Sequence, residues 1–257
     1  MEGGLDQAWH WYPLAPLGVT HPLAAVHADT LINTWVALAA LIVLVFLARW
    51  ALTKKNSVGY HLIKAIIKNY MQLIVESNGT FVYRYYALIG SLFSFILLCN
   101  WIALLPFVEE PTKDINTTLA LGIVVFFYIQ KEIIKVHGIS HFLKEYFAPF
   151  NLVFPLNILA GIALFPLKLL GELASVISLS FRLFGNIFGG TIILHIAHQA
   201  FSKSLLFQLI GLLSGLHLLL SGFFIIFEGF LQAFVFSILA ITNISLAVSI
   251  EQQQESV

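Results

Sequence analysis

The chain has 257 residues, 59% of them hydrophobic and only 10% charged, where soluble domains carry about 25% charged residues; this composition excludes an ordinary soluble fold and marks an integral membrane protein. Thirteen Lys and Arg balance thirteen Asp and Glu, so no net charge points to nucleic acid or an acidic substrate, and the information lies in where the charges fall. The lone cysteine, Cys99, excludes an internal disulfide and reads as a buried small hydrophobe in the run SLFSFILLCNWIALLP.

Residues 1–30 contain no Lys or Arg and read as an outside-facing leader to a single integral membrane domain, residues 31–257. A cleaved signal peptide with a basic start is not supported. The Trp, Tyr and Pro of MEGGLDQAWHWYPLAPLGVTHP suit the headgroup level. His10, His21 and His27 show no metal-ligand spacing and are expected to pack at that interface. A helix crossing about 30 Å of hydrocarbon needs roughly 20 apolar residues, and residues 34–52 qualify. Lys54, Lys55, Lys64, Lys68 and Arg84 then cluster, so the positive-inside rule puts the N-terminus outside. Leu62, Ile63, Ile66, Ile67, Tyr70 and Met71 recur at helical spacing opposite Lys64 and Lys68, predicting an amphipathic helix on the membrane surface near residues 58–75.

A second span is expected over residues 87–105, ending at Pro106. The loop FVEEPTKDINTT follows outside, and a third span from about Leu119 to Ile129 and beyond returns the chain to a segment holding Lys131, Lys135 and Lys144. His137 and His141 lie at i and i+4, but Gly138 between them and the lack of further ligands favour an exposed surface over a metal site. Residues 161–198 fit one helix of about 37 residues, about 55 Å long, and residues 205–250 form a still longer apolar stretch without proline. Each must be broken into a re-entrant hairpin or strongly tilted. A turn near residues 200–204 makes them an antiparallel hairpin with the C-terminus inside. The predicted fold is an all-α polytopic membrane protein with about five crossings, a surface helix and two long tilted C-terminal helices. No internal repeat supports an inverted-repeat transporter.

Polar residues inside these last two helices carry the functional signal. At about 100° per residue, Gly171, Ser175, Ser178, Gly185, Asn186 and Gly189 project near the direction of Arg182. Small residues at such spacing admit a closely packed partner helix. A snorkelling Arg in an ordinary packing seam is the alternative; the mid-helix position, with no carboxylate one turn away on the same face, argues against it. On nearly the opposite side stand Thr191, His195 and His198. In the final helix Ser214, His217, Ser221, Glu228 and Gln232 project within about 60° of one another if the spacing is uniformly helical. Charged groups at membrane depth cost about 2.5 to 3.5 kcal/mol on insertion scales and usually mark ion pathways.

Three motifs in order, EPTKDINTTLAL at residues 110–121, SLSFRLFGN at 178–186 and LQAFVFSIL at 231–239, give the chain from about residue 30 onward a resemblance to subunit a of the F-type ATP synthases. The resemblance implies a non-catalytic stator subunit whose two tilted helices lie against a ring of c subunits, with two aqueous half-channels and an essential arginine, here Arg182. An arginine does not deprotonate in proteins, so its role is electrostatic. The resemblance further implies Asn186 and Gln232 as its hydrogen-bonding company. Glu228 with His195 and His217, groups that can titrate when their surroundings shift them, is the expected relay, and Thr191, His198, Ser221, Glu172 and Lys168 are expected to line the half-channels. Lys168 and Glu172 also stand at i and i+4 and could pair with each other. Ser175, Ser178, Gly185 and Gly189 would face the rotor. Two positions depart from the family pattern: Thr191, nine residues after the Arg, and Ile225, seven before the Gln, are often titratable in members.

The implied partners are the c-subunit ring, b-type peripheral stalk subunits, the F1 sector through the complex, and membrane lipid, in a bacterial inner membrane. The carried ion, H⁺ or Na⁺, stays open. No nucleic acid, nucleotide, cofactor or metal is expected, and no Gly-rich phosphate loop followed by Lys and Ser/Thr occurs. An autonomous transporter or channel is the alternative reading. A hydrolase built on Ser214 and His217 has neither an oxyanion donor nor a nucleophile turn.

Overall fold

The structure, a computed structural model, describes residues 10–11, 26–79, 81–105, 108–140, 147, 156–202 and 215–249. Strand β1 (His10–Trp11) pairs antiparallel with β2 (Val26–His27), His10 opposite His27. This two-residue ladder has no periodicity that a sequence could display. Helices α1 (Ala28–Thr53), α2 (Val58–Asn78) and α3 (Tyr83–Trp101) follow. Short 3₁₀ turns over Ile102–Leu104 and Pro111–Lys113 lead into α4 (Ile115–His137). Helix α5 (Leu156–Ser202) is next, then α6 (Leu216–Ser221), a π-helical segment (Gly222–Glu228) and α7 (Gly229–Ser249).

Among the described residues, four stretches are long and apolar enough to cross a membrane: Ala28–Thr53, Tyr83–Leu104, Ala160–Ala200 and Leu218–Leu246. The expected third crossing forms the middle of α4, which is not among the four; Lys131, Glu132 and Lys135 occupy its last third. Along α1, Val43, Leu44, Phe46 and Leu47 are each half or more exposed. So large an apolar surface suits hydrocarbon rather than water. The amphipathic surface helix is α2, three residues longer than its stripe suggested, with Lys64 Nζ 5.7 Å from the Tyr60 ring centroid.

The two C-terminal helices differ from expectation in detail. Helix α5 has 47 residues and passes through Pro166 without a break, so the re-entrant alternative does not form there. At 1.5 Å per residue its length is about 70 Å, more than twice the hydrocarbon core. It continues through Ser202, across most of the expected turn; residues 203–214 lie outside the described residues. Gly215 has φ 62°, a left-handed conformation that stops any helix running through it, so the last apolar stretch is not one helix from residue 205. The π segment interrupts it again.

The chain divides into two compact units. The first comprises Met1–Lys68, Ser91–Asp114 and Asn186–Ala233. Ala37, Cys99 and Ile102 form a buried cluster with Phe95 and Val108 against it, the environment expected for the lone thiol. Thr30 Oγ1 donates to Asp114 Oδ2 at 3.1 Å, and His27 Nδ1 meets the same oxygen at 3.0 Å. The second unit comprises Asn69–Gly90, Ile115–Gly185 and Phe234–Val257. There α4 approaches α5 so closely at Gly122 that a Cβ would collide with Ser180 Oγ. Buried Glu132 pairs with Arg84 Nη2 at 3.1 Å and accepts from the Tyr85 hydroxyl at 3.3 Å. Two partners offset much of the cost of placing a carboxylate there.

Candidate functional site

A buried hydrogen-bond chain in the first unit sets the geometry. Thr112 Oγ1 donates to Asn100 Oδ1 at 2.6 Å, and Asn100 Nδ2 donates to the Gly229 carbonyl at 2.9 Å. Trp101 Nε1 donates to the Ile226 carbonyl at 3.1 Å. Asn100 and Trp101 lie in α3, and both accepting carbonyls belong to the π segment or the residue after it. A π segment shifts backbone bonds away from the i→i−4 ladder, and side-chain donors entering the ladder are a recognised cause of such interruptions. The approach is tight: a Cβ on Gly229 would lie 3.0 Å from Asn100 Cβ.

Beside this chain a small, partly open cleft is lined by Asn100, Glu110, Asn186, Ile187, Gly190, Thr191, Leu194, Phe224 and Ile225. Residues 186–194 present one face of α5, and Gly190 lets Phe224 pack against it; a Cβ there would sit 2.9 Å from the ring. Glu110 has an extended backbone just before the 3₁₀ turn, where Pro111 and Thr112 are buried. Burial lifts the Glu110 carboxyl above its ordinary range, and Glu109 adds to the effect; its own backbone N–H and Lys113 act against it. Lys113 Nζ also pairs with Glu109 Oε2 at 3.1 Å.

Of the sequence-predicted site residues, the cleft brings together Asn186 and Thr191, with Thr191 Oγ1 bonded to the Phe188 carbonyl at 2.8 Å. Ile225 lines it too. His195, exposed, bonds Gln199 at 2.9 Å between ring nitrogen and amide, and His198 is exposed. Ser221 ends α6 and Glu228 ends the π segment, both half-buried, while Gln232 is 8% exposed in α7. Ser214 and the His217 side chain fall outside the described residues. The common stripe drawn from Ser221 to Gln232 assumed uniform α-helical spacing, and the π segment between them removes that assumption.

In the second unit Arg182 is exposed on α5 together with Ser175, Ser178 and Gly185, while Val176, Leu179, Ser180 and Leu183 on the other side are buried. Lys168 is half-buried, and Glu172 Oε2 accepts from Gln130 Nε2 of α4 at 3.2 Å. Glu172 thus has a cross-helix partner that the i, i+4 spacing with Lys168 did not reveal. Gly189, in the first unit, and Gly171 and Gly185, in the second, have nothing within 4 Å of a would-be Cβ among the described residues. No group of three or more His, Cys, Asp or Glu that could hold a metal ion occurs among the described residues.

A family model described as ATP synthase A chain matches residues 31–245. The chain belongs to the ATP synthase A chain family. Subunit a of Moorella thermoacetica is 31% identical over 219 residues, 84% of this chain and 89% of that one. Subunit a of Trichlorobacter lovleyi is 33% identical over 215 residues, 83% and 84% of the two chains. Over a shorter stretch of 111 residues, 43% of each chain, subunit a of a Sulfurovum species is 40% identical. As subunit a, the chain is a non-catalytic integral membrane subunit in the F0 sector of an ATP synthase, engaged in proton transport.

Glu110 and Asn100 are the residues that sequence reasoning passed over. The string EPTKD served there only as a signature of the resemblance. Glu110 lies outside any periodic element, so no helical projection could place it in a cleft with α5.

Proposed function

We propose that this subunit a is the stator of a rotary proton motor. Protons cross through two offset half-channels, and Arg182 meets the ionised carboxylate of each passing c subunit between them. The observation that carries this reading is the two-sided character of α5 in the second unit. Val176, Leu179 and Leu183 are buried, while Arg182 stands exposed together with Ile177 and Phe181 and with Ser175, Ser178 and Gly185, whose small size leaves room for a helix to approach the guanidinium closely. A fixed cation there attracts the rotor carboxylate, displaces its proton, and bars protons from leaking directly between the half-channels.

Asn186 and Gln232 assist the arginine, and Glu228 with His195 and His217 relays protons; carboxyl and imidazole groups can exchange them near neutral pH when their surroundings shift them. Thr191, His198, Ser221, Lys168 and Glu172 line the paths, and Gly189 extends the rotor face. Moving one charge through 100 mV supplies about 2.3 kcal/mol. ATP synthesis therefore needs several protons, which a rotating c ring accumulates and passes to the F1 sector while b-type stalk subunits hold the stator. The membrane is a bacterial inner membrane, with the N-terminus outside and the C-terminus in the cytoplasm. A cysteine in place of Ser178 should crosslink to c subunits in native membranes, whereas one in place of buried Leu183 should not. Crosslinks from residue 183 alone would reverse the assigned face and overturn the docking.

A further inference from the structure

We infer that Glu110 is the proton-accepting group of the cleft, taking protons from the outer solution and passing them toward α5; this rests on the half-channel reading above. Three of its lining residues, Asn100, Asn186 and Thr191, are polar but neutral, and the remainder apart from Glu110 are apolar or glycine. Amides and hydroxyls can orient water, but only a carboxyl in this set can take up and release a proton near neutral pH. The two requirements of such a group are a fixed position and an affinity tuned toward the working pH. Position follows from the buried Pro111 and Thr112 immediately after it and from the bond of Thr112 to Asn100. Affinity follows from burial, which favours the protonated form.

Among the described residues, the charged groups around Glu110 are few. Glu109 and Lys113, on its own segment, pair with each other, and Asp114 beyond them is engaged by His27 and Thr30. The residues that line the cleft from α3, α5 and the π segment carry no charge. Asn186 lies one helical turn along α5 from Arg182, so the cleft borders the helix that carries the arginine. The step is a proton transfer only. A proton from outer water forms an O–H bond on the Glu110 carboxylate, then leaves to the next water or acceptor, which restores the carboxylate with no other reactant.

The test uses the intact ATP synthase in inverted membrane vesicles, with ATP-driven proton pumping as readout and copurification of the c ring as the check on assembly. Glu110→Gln keeps the shape and removes the titration, and should slow pumping by at least about tenfold. Because Thr191 lines the same cleft, Thr191→Glu added to Glu110→Gln should restore pumping, which a merely structural Glu110 would not permit. Wild-type pumping by assembled Glu110→Gln, or no recovery in the double variant, would overturn the assignment. If Glu110→Gln does not assemble, Glu110→Asp decides: its pumping-against-pH profile should move to lower pH by about 0.4 unit, and an unmoved profile would overturn it. Arg182→Ala separates the two levels. A silent Arg182→Ala beside an active Glu110→Gln removes only Glu110, while an active Arg182→Ala removes the stator reading itself.

Discussion

Asn100 lies in an apolar span, yet its amide is 1% exposed and engaged at both ends, by Thr112 and by the Gly229 carbonyl. Replacing it with Leu keeps the volume close but strands a buried hydroxyl and a buried carbonyl. Each orphaned group costs about 1 to 3 kcal/mol, so Asn100→Leu should lower the melting temperature of the purified complex measurably; an unchanged melting temperature would mean that water replaces both bonds. The sequence shows why Asn100 escaped notice: a single amide in SLFSFILLCNWIALLP is neither periodic nor charged. Arg182, by contrast, stands out in the sequence, because a permanent cation inside an apolar helix leaves only a snorkelling side chain in a packing seam as the alternative to a functional role. Glu172 was legible as a polar group, but its partner Gln130 is 42 residues away, beyond the reach of any i, i+4 rule.

Among the elements, α1, α2, α3 and α5 follow from apolar length and 3.6-residue periodicity, although the expected ends differ from the observed ones by up to six residues, most at the start of α1. The last helix was not, because its interruption is tertiary in origin. Trp101 and Asn100 reach carbonyls at Ile226 and Gly229, and neither donor is encoded in the segment they disturb. The contact of α5 with the π segment depends on Gly190, whose missing side chain Phe224 occupies. Gly190→Val should therefore force the ring or the helix to shift and destabilise the complex by about 1 to 3 kcal/mol. Urea or thermal unfolding would check this, and a neutral effect would show that Phe224 swings away freely.

At the scale of the molecule, charge position along the chain supports an orientation, and apolar length supplies the membrane spans. The family assignment rests on residues 31–245 as a whole, consistent with three motifs spread across more than a hundred residues. The proposed proton path is where sequence and structure divide the work. Residues on α5 could be projected onto faces, whereas the cleft that joins Glu110 to Asn186 and Thr191 exists only once a loop, two helices and a π segment pack together. The central claim is that Arg182 is the electrostatic gate of a stator that acts through the rotor ring. The most direct measurement is ATP-driven proton pumping by assembled Arg182→Ala complexes in inverted vesicles. Pumping should be abolished while the c ring still copurifies, and pumping at the wild-type rate would contradict the mechanism.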